Sequence, residues 1–153
     1  MSDRILSQHE CRAVVLTCID FRFAGGRSAR AIEQAYGLGE NEYDIVAVPG
    51  GAQNLTKHKL ALHYAESTQH ALGVAIGLHH VSSIIVLSHQ NCGALKAVGK
   101  IFGEEDVKAE IEFHQSLLTE ARASVKTKWP QLVVEAGYIF VDEGNQSIVI
   151  EKL

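Results

Sequence analysis

Three short and mostly apolar runs, Ala13–Cys18, Tyr43–Val48 and Ser83–Ser88, alternate with stretches of helical spacing, and this limits the fold more than any other feature. Runs of this length suit strands covered on both faces. Strand, helix, strand in succession requires parallel pairing, with each helix serving as the crossover. Ser28 is placed to cap a helix over residues 29–36, which Gly37 and Gly39 stop, and Pro49-Gly50-Gly51 ends the second strand. Between Lys57 and Leu78, the residues Leu62, Ala65, Gln69, Leu72 and Ile76 recur at helical intervals. A short helix is expected over 91–102. A longer one follows over 105–128, with Ile111, Leu118 and Val125 inward and Trp129-Pro130 closing it. Two late runs, 133–141 and 147–150, flank the turn sequence Asp142-Glu143-Gly144-Asn145. The expected fold is α/β, in three α/β/α layers. Its central sheet is mainly parallel, with about four parallel strands in the order 2-1-3-4, plus an antiparallel C-terminal edge strand. A chain of 153 residues leaves no room for a second full core, so residues 1–153 are expected to form one domain.

The charge balance narrows the partners. Fourteen Lys and Arg against eighteen Asp and Glu give a formal charge of −4, and no basic run with interleaved aromatics occurs. Neither nucleic acid nor an anionic membrane is expected as a partner. The opening residues Met1–Leu6 lack the apolar core of a signal peptide, and no apolar run approaches the ~18 residues of a membrane helix. A cytoplasmic location is the expectation. Three cysteines cannot all pair, which turns attention from disulfides to metal or nucleophile chemistry.

Cys18 closes the first strand, and His89 and Cys92 follow the third in Ser88-His89-Gln90-Asn91-Cys92-Gly93. In parallel sheets reactive groups gather beyond the carboxyl ends of the strands, so neighbouring first and third strands bring these residues to one point. Two thiolates and an imidazole suit zinc, and three protein ligands leave a fourth position for water. His-x-x-Cys fits a strand-to-helix turn, where Gly93 is expected to relieve crowding behind Cys92. Cys11 stands seven positions before Cys18. On one strand that spacing puts it on the opposite face, more than about 20 Å away, so it is not expected to be a ligand. Gly25-Gly26 and Pro49-Gly50-Gly51 complete no phosphate-binding motif, and are expected instead to let backbone pass close to the metal pocket.

Cys18-Ile19-Asp20-Phe21-Arg22, followed about seventy residues later by His89-Gln90-Asn91-Cys92-Gly93, resembles the beta-class carbonic anhydrases. The likeness continues through His70-Ala71-Leu72-Gly73, Gly93-Ala94-Leu95-Lys96-Ala97 and Gly137-Tyr138-Ile139-Phe140-Val141, although only the two ligand segments are diagnostic. The resemblance implies one zinc ion per chain, held by Cys18, His89 and Cys92. It also implies reversible hydration of carbon dioxide to bicarbonate and a proton by zinc-bound hydroxide, and assembly as a homodimer or a higher homo-oligomer. Asp20 and Arg22 would be the paired catalytic residues beside the metal. Asp20 can either accept a hydrogen bond from the reacting water or swing onto zinc and displace it, and Arg22 is expected to decide between the two.

The chain also departs from the family pattern. Family members commonly read Arg-Asn-Ala-Gly after the second strand, where this chain has Pro49-Gly50-Gly51-Ala52. Gln53 or Asn54 is a candidate for the polar contact so lost. The altered loop keeps two alternatives open: hydrolysis of carbonyl sulfide or carbon disulfide at the same site, and a zinc-binding protein without turnover. A helical arm ahead of the first ligand, frequent in the family, is expected to be short or missing. His58, His63 and His114 have the chemistry of proton shuttles, but solvated helix positions are the ordinary reading and no shuttle is assigned.

Overall fold

The computed structural model describes residues 8–153, so the readings made on Met1–Leu6 and on an arm before the first ligand lie outside the described residues. Five strands form one sheet: β1 (Ala13–Cys18), β2 (Tyr43–Val48), β3 (Ser83–His89), β4 (Val133–Asp142) and β5 (Ser147–Lys152). Their order is β2-β1-β3-β4-β5. The first four are parallel, and β5 returns antiparallel along β4, from Asp142 opposite Ser147 to Gly137 opposite Lys152. The expected architecture holds, edge strand included. The four α-helices among the described residues are α1 (Gly26–Tyr36), α2 (Leu62–His79), α3 (Gly93–Ala97) and α4 (Val107–Lys128), with 3-10 turns at Phe21–Phe23 and Gly51–Leu55.

Strand alternation divides the core between the two faces of the sheet. Val14 and Leu16 of β1, with Ile84 and Val86 of β3, pack with Leu72 and Ala75 of α2 and Leu117, Leu118, Ala121 and Val125 of α4. Ala13, Val15, Ile85 and Leu87 face the other way, onto Ile32 and Tyr36 of α1. In β3 both sets are fully sealed, with Ile84, Ile85, Val86 and Leu87 at most 1% exposed. At about 1.5–3 kcal/mol for each large apolar side chain buried, this strand is the hydrophobic centre of the fold. No helix among the described residues is long and apolar enough to cross a membrane.

Local differences from expectation have identifiable causes. The helix α1 begins at Gly26 with Gly25 as its N-cap, so Ser28 is not a cap but a buried first-turn residue. Its stop is as expected, with Gly37 in the left-handed region at φ 63°. The stretch from Lys57 becomes regular helix only at Leu62. The helix expected over 91–102 is cut to Gly93–Ala97, because Gly99 turns the backbone to φ 81°. The inner face of α4 takes Glu110 and His114 as well as Leu118 and Val125, while Ile111 is only partly buried.

Candidate metal centre

Three side chains meet at the carboxyl edge of the sheet. The strands β1 and β3 are parallel neighbours, with Leu16 opposite Val86. Cys18 therefore ends one strand beside the end of the next, and the Gln90-Asn91 turn brings Cys92 back beside His89. The sulfurs of Cys18 and Cys92 and an imidazole nitrogen of His89 all lie within 4.8 Å of one another. The three residues are 6%, 5% and 2% exposed. The convergence expected from the sequence is met by all three. Cys11 is not among them. It precedes β1, so strand alternation does not reach it, and it packs against the same core cluster as Cys18 instead of on the opposite face.

His89 supplies the clearest test of whether this cluster fits a metal ion. Its Nδ1 lies 2.8 Å from the Gln90 carbonyl oxygen. A carbonyl only accepts, so Nδ1 carries the proton and Nε2 presents a lone pair. That Nε2 is buried and has no hydrogen-bond partner. A sealed nitrogen left in this way costs about 1–3 kcal/mol, which a ligated cation would offset. Phe23 lies against the ring, with centroids 4.8 Å apart, and fixes its plane.

The sulfurs fit the same group. Hydrogen bonding from the Cys92 thiol first, and then from the Gly50 N–H, holds the Cys18 pKa well below the ordinary thiol value against the effect of burial. Cys92 is pushed up, first by hydrogen bonding to Cys18 and then by burial. A divalent cation held between the two sulfurs would favour the ionised form of both. The Gly50 N–H donates to Cys18 Sγ at 3.3 Å, which places the Pro49-Gly50-Gly51 loop directly against this residue.

Close passage of backbone is real for this loop. At Gly51 (φ 49°) a Cβ would stand 2.8 Å from both Cys18 N and Thr17 C, and 3.0 Å from Leu87 O. None of these backbone atoms can yield, so Gly51→Ala is expected to cost about 2–4 kcal/mol, read as a lowered urea midpoint. At Gly93 a Cβ would meet nothing within 4 Å beyond its chain neighbours and its own helix. Gly93→Ala at the start of α3 should leave the unfolding free energy unchanged or raise it by up to about 1 kcal/mol. Gly25 likewise faces open space; it caps α1.

Asp20 and Arg22 flank the cluster. Asp20 Oδ1 accepts from Arg22 Nε at 2.9 Å and from its backbone N–H at 3.0 Å, while Oδ2 accepts from Nη2 at 2.6 Å. Both carboxylate oxygens are engaged, and Oδ2 lies 3.8 Å from His89 Nε2. Hydrogen bonding from Arg22 holds the Asp20 pKa down at about 2, against an ordinary 3.8. A depressed carboxylate contributes stability that is complete above its unfolded value and is lost as pH falls through its folded one. The stability gap between the native chain and Arg22→Ala should therefore be constant above about pH 4 and close towards about pH 2 in urea titrations.

Several contributing groups are not legible in the sequence. Arg22 Nη2 also donates to the Asn91 carbonyl at 2.9 Å, and the Asn91 N–H donates to Glu110 Oε1. Glu110 on α4 therefore anchors the turn that anchors Arg22. The polar contact sought from Gln53 or Asn54 is not made at the metal cluster. Gln53 Nε2 donates to the His58 and Ala94 carbonyls, and Asn54 Nδ2 to those of Pro49 and Gly51. His114 is fully buried, with Nδ1 2.9 Å from Ser88 Oγ, and desolvation lowers its pKa. It is not a solvated helix position; His63 is. An apolar groove of about 310 Å³ opens beside the cluster, bordered by Cys18, Ile19, Phe23, Ile32 and Ile45.

Comparison with known proteins agrees with this geometry. The carbonic anhydrase family model matches residues 13–137. An uncharacterized protein of Rickettsia bellii is 30% identical over 135 residues, spanning 86% of this chain and 78% of that protein. Among solved structures, the apo form of a carbon disulfide hydrolase superposes with a TM-score of 0.54 at 15% identity, covering 96% of this chain and 82% of that one. A tetrameric beta-carbonic anhydrase of Sordaria macrospora gives a TM-score of 0.51 at 15% identity, covering 100% and 85%. At such identities these two likenesses show a shared fold.

Proposed function

The chain belongs to the carbonic anhydrase family, and on that premise we propose that it is a zinc-dependent enzyme interconverting carbon dioxide with bicarbonate and a proton. The observation that carries this reading is the buried trio Cys18, His89 and Cys92, with His89 Nε2 lacking any partner. Zinc bound there would lower the pKa of a coordinated water from 15.7 toward ~7 and so make a nucleophile near neutral pH. Cys18 and Cys92 would supply two negative charges, and the Gln90 carbonyl keeps His89 in the ligating tautomer. Asp20, held ionised by Arg22, is positioned to accept a hydrogen bond from the reacting water and so aim the lone pair of the water oxygen at the substrate. The groove bordered by Phe23, Ile32 and Ile45 has a mainly apolar lining that suits a small apolar gas.

Assembly as a homodimer belongs to the same reading. The strand β2 is an edge of the sheet, and Ile45 on it is 57% exposed, with Ile19 at 55% and Phe21 at 86% just beyond the end of neighbouring β1. A second copy laid along this edge would cover all three. Sedimentation equilibrium should show a dimer or a multiple of it, and a monomer at micromolar concentration would refute the assembly.

Stopped-flow carbon dioxide hydration, with zinc content measured on the same sample, tests the activity. Hydration that rises with zinc occupancy is the expected result. Parallel assays with carbonyl sulfide and carbon disulfide separate the sister activity, which the fold shared with a carbon disulfide hydrolase motivates. Zinc at one per chain with no turnover of any of the three substrates would leave a metal-binding protein and overturn the proposal.

A further inference from the structure

The opposite end of the sheet carries a second convergence of donor atoms, which the Cys18 cluster does not use. Cys11 lies just ahead of β1, Asp44 is the second residue of β2, and His79 is the last residue of α2. Backbone contacts build the site. The Cys11 N–H donates to the His79 carbonyl at 3.1 Å, which ties the approach to β1 to the end of α2. Ala13 pairs with Tyr43 and Val14 with Asp44, which brings the start of β2 alongside. His80 then turns the chain away with φ 54°. One ligand atom each from Cys11, Asp44 and His79 lie within 4.8 Å of one another. Asp44 Oδ2 and His79 Nδ1 are 2.6 Å apart. The trio is partly buried and borders a cleft of about 210 Å³, which His9 and Glu10 also line.

We propose that Cys11, Asp44 and His79 form a second, exchangeable binding site for a zinc-class divalent cation. A thiol, a carboxylate and an imidazole together select borderline cations such as zinc, cobalt or cadmium over magnesium and calcium, which favour oxygen-only shells. The carboxylate is the common neighbour. It contacts His79 Nδ1, and its charge, after burial, helps to hold the Cys11 thiol protonated. A cation would take the place of the proton between Asp44 and His79 and release the thiol proton to solvent. Three protein donors facing an open cleft leave room for water, so this site should exchange faster than the sealed one. The five residue steps of β1 from Ala13 to Cys18, at about 3.3 Å each, span roughly 16 Å between the two ends of the sheet, and the inference does not depend on the carbonic anhydrase reading.

The test is calorimetric titration of metal-stripped full-length protein with zinc, backed by cadmium titration read through thiolate charge-transfer absorbance. The native chain should bind two equivalents in two affinity classes. His79→Ala and Asp44→Asn should each lose only the weaker class, and Cys92→Ala only the tighter one. The second equivalent of cadmium should add thiolate absorbance in the native chain and none in Cys11→Ala. Circular dichroism confirms that each variant is folded. A single equivalent in the native chain that survives His79→Ala would overturn the site, as would a second equivalent indifferent to both His79→Ala and Asp44→Asn. A single equivalent lost in His79→Ala but kept in Cys92→Ala would uphold this site and refute the zinc centre at Cys18 instead.

Discussion

Cys92→Ala is expected to lose zinc on gel filtration and to lose carbon dioxide hydration with it, while the chain stays folded. Zinc bound by a full protein shell contributes about 10–16 kcal/mol, so one thiolate of four ligands accounts for roughly 3 kcal/mol, or about a hundredfold or more in affinity. The fold should survive, since Cys92 shares a core cluster with Ile84 and Val86 but the substitution removes only its single sulfur atom and leaves those large side chains in place. Metal content by mass spectrometry, with near-native far-ultraviolet dichroism, checks both halves. Zinc retained at one equivalent with full activity would remove Cys92 from the centre.

Arg22→Ala is expected to keep zinc yet lose roughly 10–100-fold in hydration rate, the usual range for a partner that orients a metal-site group. Arg22 occupies both oxygens of Asp20 and ties the pair to the Asn91 carbonyl. Without it, the carboxylate is free to turn, and its Oδ2 already stands 3.8 Å from His89 Nε2. A rotation toward the cluster would put Asp20 among the ligands and occupy the position needed by water. Arg22→Lys should recover only part of the loss, because an ammonium replaces a two-point guanidinium contact by a single charge. An unchanged metal shell together with an unchanged pH profile in Arg22→Ala would show that Arg22 does not govern this choice.

Backbone periodicity made the sheet legible. Residues 13–18 and 83–88 carry continuous apolar runs, and a buried parallel strand is the structure such a run specifies. The same regularity exposed the cluster, because Cys18 and His89 stand where those runs end. What could not be read was of three kinds. Groups acting through the main chain, such as the Gly50 N–H and the Asn91 carbonyl, leave no side-chain signature. Glu110 and His114 are polar residues on the buried face of α4, where helical periodicity anticipates apolar ones. Cys11 was placed by extending strand alternation to a residue ahead of the strand, where it does not apply. Ser28, expected as a cap, and the helix expected over 91–102 show a smaller version of the same effect: burial took the first and the left-handed turn at Gly99 ended the second.

Everything functional rests on Cys18, His89 and Cys92 holding one metal ion with one position open. X-ray absorption spectroscopy of the protein loaded with a single equivalent of zinc measures that shell directly. Two sulfurs at ~2.3 Å, one imidazole nitrogen at ~2.0–2.1 Å and one light atom from solvent are the predicted result, with one sulfur lost in Cys92→Ala. A shell with fewer than two sulfurs in the native chain, or one indifferent to Cys92→Ala, would contradict the account.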